Sequence, residues 1–176
     1  MTYLKPKKWY LYPFQFIARC QNLNIEEQYN YGVRVFDIRL SFDKKGNVEF
    51  RHGLMAYKGD VYRVFDYLNS VKEPVIVRIL LEVDKVDPLK EDRFKATCRL
   101  LEEVYPKIKF YGGFRKFDKM PLYNFRNERP NMIEIYSSYQ LPKIDDLFPY
   151  LYAKKHNKDA KEIDTEYLML DFVQLG

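Results

Sequence analysis

The sequence predicts an α/β fold built on a mainly parallel sheet, in one domain. Three observations carry that prediction. Short runs rich in β-branched and aromatic residues alternate along the chain with helical patterns. One of these runs, Val75–Val83, is almost continuously apolar, as a strand buried on both faces must be. No Pro/Ser/Gly-rich linker interrupts the 176 residues, a length that suits one domain with a real core.

The elements follow in order. Asn24–Tyr31 reads as a helix, with Asn24 as its cap, Glu26 and Glu27 in the first turn where the helix dipole favours them, and Gly32 at its end. Val33–Leu40 is a β-rich run, Asp43–Asn47 a turn, and Val48–His52 a second strand closing a hairpin. Asp60–Ser70 is an amphipathic helix with Val61, Val64, Phe65 and Leu68 on one face. Val75–Val83 follows Pro74. Pro88–Val104 is the longest helical pattern, stopped by Pro106. Ile108–Tyr111 reads as a short strand before a Gly112-Gly113 turn, Met132–Tyr136 as another strand, Ile144–Asp159 as helical in part, and Tyr167–Val173 as the last strand.

Composition narrows the class. Hydrophobic residues make up 47% and charged residues 31%, a globular rather than a disordered balance. The net charge of +5 favours anionic partners. Both signs are interspersed and no long basic block occurs, which argues against nucleic acid. Aromatics reach 17%, enough to fill a core and still supply a ligand rim or a membrane-facing surface. Cys20 and Cys98 read as buried free thiols with no metal-ligand spacing. The segment MTYLKPKKWYLYPF is basic and aromatic but broken by Pro6 and Pro13, so it reads as neither a signal-peptide core nor an anchor.

Several residues suggest chemistry. Asp37 and Arg39 lie two apart on a strand and so share a face. They are either a carboxylate holding a guanidinium toward a phosphate or an ordinary strand-end ion pair. His52, before Gly53, is either a proton donor or acceptor near neutral pH or a structural histidine. His156, in AKKHNKD, reads as solvated. Asp171 in YLMLDFV and Glu82 in VIVRILLEV are lone carboxylates in apolar strands, expensive there unless paired or at a solvated end.

Taken together, these segments resemble the X-type catalytic domain of phosphatidylinositol-specific phospholipase C, bacterial type most closely. The stretch CQNLNIEEQYNYGVRVFDIRL carries Gln21, Gln28, Gly32, Arg34, Asp37 and Arg39 of the family pattern. NVEFRHGL resembles the strand bearing the family's second catalytic histidine, here His52. VYRVFDYLNSVKEPVIVRILLE resembles the following helix and strand, ending in Glu82, and EYLMLDFV the last strand, with Asp171. The likeness is strongest over Cys20–Val83 and weak from Pro88 to Glu166. The family's first strand ends in Gly-Thr/Ser-His-Asp-Ser, often followed by Met-Thr-Tyr, and this sequence opens Met1-Thr2-Tyr3. The expectation is therefore of a chain that starts past the general-base histidine and its neighbouring aspartate, either through a start assigned too late or as a truncated, inactive relative.

The resemblance implies a small TIM-like (β/α) barrel, distorted or incomplete and lacking its first strand. It implies cleavage of a phosphatidylinositol-like phosphodiester to a cyclic inositol phosphate and diacylglycerol. Arg39 would stabilise the phosphate charge, Asp37 would hold Arg39, His52 would protonate the leaving oxygen, and Asp171 would orient the base. Glu82 resembles a calcium ligand of eukaryotic relatives, with a partner for a basic residue as the other reading. Arg115 is an inositol or phosphate contact or a solvated loop arginine. Arg39 replaces an acidic calcium ligand of those relatives, so no metal and no cofactor is expected. A monomer acting on phospholipid, with a membrane surface as its place of action, is implied. The compartment stays open, secretion following only from an upstream signal. The alternatives are a metal-dependent glycerophosphodiester phosphodiesterase-like enzyme and an inactive, truncated lipid-binding relative.

Overall fold

The computed structural model describes residues 3–82, 87–115, 133–136, 148–159 and 167–176. The chain forms two compact units, Arg34–Arg129 and Met1–Val33 with Pro130–Gly176.

Within Arg34–Arg129, β1 (Val35–Phe42), β2 (Val48–His52), β3 (Met55–Ala56), β4 (Val75–Glu82) and β5 (Ile108–Arg115) form one sheet in the order β3-β2-β1-β4-β5. β1, β4 and β5 are parallel, whereas β1–β2 and β2–β3 are antiparallel. This overturns the expected TIM-like barrel: the sheet is mixed and open, and it does not close. The cause is local. Only Asp43–Asn47 joins β1 to β2, and a parallel return needs a crossover of about a dozen residues or more. Asp43 Oδ1 accepts the amides of Lys45 at 2.8 Å and Asn47 at 2.9 Å and so builds the tight turn itself. β2 is therefore forced antiparallel, and β3 at two residues ends the sheet.

Two helices supply the core of this unit. Asp60 caps α3 (Val61–Ser70), accepting from Tyr62 N at 2.9 Å, and the helix buries Val61, Phe65 and Leu68. The ring of Phe65 meets Phe110 of β5 at 5.8 Å and Tyr105 at 5.7 Å. Asp87 caps α4 (Pro88–Val104), which buries Phe94, Cys98 and Leu101. Phe36, Ile38, Leu40, Val75, Val77, Ile79 and Leu81 form the buried sheet face. Cutting Phe65 back to alanine would cost about 3–5 kcal/mol, the usual range for a large core aromatic.

β5 corrects a second expectation. The strand runs through Gly112 and Gly113 instead of turning there. Gly112 has φ +128°, and a Cβ on it would lie 2.0 Å from Ile79 O. The glycines serve close approach of two strands, a role that a GG pair in sequence does not distinguish from a turn.

In the other unit, Trp9–Phe14 is a 3-10 turn leading into α1 (Gln15–Ala18). α2 (Ile25–Asn30) starts with a full capping box between Asn24 and Glu27, at 2.9 and 2.7 Å. β6 (Ile133–Tyr136) pairs in parallel with β7 (Tyr167–Leu170), and α5 spans Pro149–His156. Met132 and Val83, and residues 144–147 of the expected partial helix, lie outside the described residues. β7 stops at Leu170, earlier than expected. Phe172 takes a left-handed φ of 49° and a 3-10 turn, Val173–Leu175, follows.

Candidate functional site

β1 and β4 run side by side with Asp37 opposite Arg78 and Arg39 opposite Leu80. Because side chains alternate along a strand, Asp37, Arg39, Arg78 and Glu82 fall on one face, and Phe36, Ile38, Val77, Ile79 and Leu81 on the other. The apolar set is buried in the core. The charged groups are left to satisfy one another on the opposite face, where they are largely withdrawn from water.

Their side chains are 21, 17, 11 and 10% exposed for Asp37, Arg39, Arg78 and Glu82. Arg39 Nε donates to Asp37 Oδ2 at 2.9 Å. Arg78 approaches the other carboxylate oxygen, Asp37 Oδ1, at 3.5 Å. Arg39 Nη1 lies 3.5 Å from Glu82 Oε2. Glu82 Oε1 accepts the amide of Gly53 at 3.2 Å. The result is a chain of alternating charge, Arg78–Asp37–Arg39–Glu82, ending on a backbone N–H of the β2–β3 hairpin. Asp37 Oδ1 and Glu82 Oε2 are buried and, among the described residues, accept no hydrogen bond.

Burial by itself would raise the Asp37 carboxyl. The charges of Arg39 and Arg78, with the Arg39 hydrogen bond, outweigh it and hold the group below its ordinary range. Asp37 therefore stays ionised, and an ionised Asp37 fixes the direction of the Arg39 guanidinium.

His52 ends β2 and is buried at 7% exposure. The register Leu40↔Phe50 and the strand period assign it to the side of Phe50, not to that of Arg39. The strand stops there, however, and the chain turns at Gly53 with φ +56°. The Gly53 amide on Glu82 means that the hairpin tip bends toward the charged face at the point where His52 sits. Arg51 Nε, bonded to Gly53 O at 2.9 Å, braces this tip. The structure thus joins Asp37, Arg39 and Glu82 directly, and brings in the residue next to His52.

Arg115 is the last residue of β5, its backbone opposite Glu82, so it belongs to a strand end and not to a loop. Asp171 lies in the other unit, half-buried, just beyond the end of β7. Its carbonyl accepts from Asn157 Nδ2 at 2.9 Å, and Gln21 Nε2 holds the neighbouring Leu170 carbonyl at 2.9 Å.

Two residues escaped the sequence reading. Arg78 sits in a run read as buried on both faces, and only the register of β4 against β1 reveals its carboxylate. The fully buried Asn157 looked like part of a solvated loop, yet it binds the carbonyls of both Asp171 and Phe172. Among the described residues, no three His, Cys, Asp or Glu side chains converge as metal ligands.

The unit containing Met1–Val33 has its own feature, an open cavity of about 450 Å³ lined by Phe16, Phe148, Tyr150, Leu151 and Phe172, with Arg19 and Asn22. Phe16 stacks on Phe148 at 5.7 Å, and Trp9, Phe14 and Ile17 nearby in sequence are exposed. No family model and no curated protein sequence matches this chain.

Proposed function

We propose that the protein is a phosphodiesterase of the phosphatidylinositol-specific phospholipase C type, with Arg39 as the contact for the substrate phosphate. The single observation that carries this reading is the partly buried Asp37–Arg39 pair at 2.9 Å on β1, beside the parallel strand β4 that ends in Glu82. A guanidinium held in one direction by an ionised carboxylate is preorganised for a phosphoryl oxygen. Ligands of open α/β sheets bind at the carboxyl ends of the strands; of this array Glu82 is the last residue of β4, while Asp37 and Arg39 lie within β1 and Arg78 within β4.

In this proposal Arg39 stabilises charge that develops on the phosphate oxygens, and Asp37 positions it. His52, buried and assigned by the strand period to the side away from Arg39, takes the role of acid for the departing diacylglycerol oxygen through the family resemblance alone. Attack of the neighbouring inositol hydroxyl on phosphorus, its proton passing to water, breaks the bond from phosphorus to the diacylglycerol oxygen and gives the cyclic phosphate. Arg115 contacts the phosphate or inositol. The exposed aromatics of Trp9–Ile17, close in sequence to Lys5, Lys7 and Lys8, support a lipid surface as the place of action.

The test is release of cyclic inositol phosphate from phosphatidylinositol vesicles, followed by ³¹P NMR with and without a chelator. Arg39→Lys should lower turnover about 10²–10³-fold, the usual cost of removing one preorganised stabiliser of an oxyanion. Turnover that survives Arg39→Lys unchanged refutes the assignment of Arg39. Turnover abolished by chelator refutes the metal-independent reading in favour of a metal-dependent phosphodiesterase. Vesicle binding without turnover points to a lipid-binding protein instead.

A further inference from the structure

We infer that Glu82 is a built-in competitor for the substrate phosphate on Arg39, and so sets how tightly the site takes an anion. The inference rests on the reading of Arg39 as the phosphate contact. It separates the two carboxylates of the array, which the sequence does not.

Asp37 is held from two sides. Arg39 Nε donates to one oxygen at 2.9 Å, and Arg78 stands 3.5 Å from the other. Its charge is therefore shared between two guanidinium groups, and it directs Arg39 without neutralising it alone. Glu82 is held differently. Its described contacts are the Gly53 amide at 3.2 Å and Arg39 Nη1 at 3.5 Å. Its other oxygen, Oε2, is the one turned to Arg39, and it is buried without accepting a hydrogen bond among the described residues.

A carboxylate oxygen in that condition has lost its water and gained only a long ionic contact. A buried anion of this kind is costly unless it is well paired. A phosphate oxygen would make a short charge-assisted bond to the same Nη1, in the place that Glu82 Oε2 now faces. Both anions claim one nitrogen, so the phosphate binds against the charge of Glu82. Arg78 prevents Asp37 from adding to that opposition. The four side chains are neutral as a set, two arginines against two carboxylates. Removing the Glu82 charge leaves these four with a net positive charge.

Glu82→Gln is the discriminating change. The amide oxygen still accepts from Gly53, so the hairpin contact survives, while the negative charge facing Arg39 is gone. Inorganic phosphate is titrated into the full chain by calorimetry, and the Arg39 Nε–Hε resonance is followed by NMR to place the binding. Glu82→Gln should bind phosphate about tenfold or more tightly than wild type, from the loss of one unit charge at close range. Arg39→Gln in the Glu82→Gln background should remove the gain. Circular dichroism checks the fold of each variant, and Glu82→Ser, which removes the charge and leaves a small polar group, should show the same direction.

If Arg39→Gln weakens phosphate binding by wild type, but Glu82→Gln and Glu82→Ser bind no more tightly than wild type, the competitor inference is overturned and the phosphate reading stands. If Arg39→Gln leaves phosphate binding unchanged in both backgrounds, the phosphate reading falls and the inference with it. Tighter binding that leaves the Arg39 resonance unmoved also overturns the inference, because the anion then sits elsewhere.

Discussion

Replacing Gly112 by alanine puts a methyl group where the backbone of β4 already lies. The added Cβ would stand 2.0 Å from Ile79 O and 2.8 Å from Ile79 N and C. Ordinary van der Waals contact begins at 3.4 Å, so β5 must retreat by about 1.4 Å at this point, the difference between 3.4 and 2.0 Å. Gly112 is the ladder partner of Ile79, and such a retreat breaks the hydrogen bonds on both sides of that pair. Each costs about 1 kcal/mol, and up to about 3 where the freed groups stay buried. The left-handed φ of +128° adds strain of about 1–2 kcal/mol for a residue with a Cβ. The expected loss is about 3–8 kcal/mol, a large part of the stability of a small domain. Gly53→Ala is the internal control, since φ is +56° but no atom lies within 4 Å of the new Cβ. It should lose about 1 kcal/mol, from the backbone term alone. Urea unfolding measures both. With a slope of about 1–3 kcal/mol/M, Gly112→Ala should lower the midpoint by more than about 1 M, or fail to give a cooperative transition. Equal midpoints for the two variants would refute the close approach of β4 and β5 at Gly112.

Three further outcomes are expected. Asp37→Asn should destabilise the protein by about 3 kcal/mol at neutral pH, because it leaves two buried guanidinium groups without their shared carboxylate. The folded-state Asp37 carboxyl lies below its ordinary value of 3.8, so its stabilisation is present above that value and lost as pH falls through the lower folded value. Stability curves of wild type and Asp37→Asn should therefore converge below pH 3.8, and a constant gap down to the acid transition would contradict the ion-pair account. Burial, with Glu102 adding to it, pushes the Cys98 thiol up, so iodoacetamide should modify half-buried Cys20 well before Cys98 in the native protein, and both alike in urea. Asn24→Ala removes the capping box of α2 and should cost about 1 kcal/mol, read as a lowered urea midpoint, whereas Asn24→Ser should nearly preserve it.

Much of the local structure was determined by residue order alone. Asn24, Asp60 and the Asp87-Pro88 start act through groups only two or three residues away, so their helices are legible without any tertiary knowledge. The same holds for the Asp43–Asn47 turn, whose bonds all come from Asp43. The shared face of Asp37 and Arg39 follows from the strand period, and the structure adds their 2.9 Å contact. What the order of residues left open is everything that depends on which strand lies beside which. The pairing Asp37↔Arg78 exists only because β4 docks parallel to β1 in one register, and a slip of one residue would turn Arg78 toward the core. Gly112 reads as a turn until β4 is placed against it, because a glycine signals backbone freedom without saying what uses that freedom. Closure of the sheet was undetermined for the same reason. Strand and helix periods repeat in open and closed sheets alike, and only the short antiparallel β1–β2 link and the two-residue β3 decide for an open edge. The difference between Asp37 and Glu82 belongs to this second class. In the reading proposed above, two carboxylates of equal intrinsic chemistry become a positioning group and a competing anion because, among the described residues, Asp37 has two guanidinium neighbours and Glu82 has one.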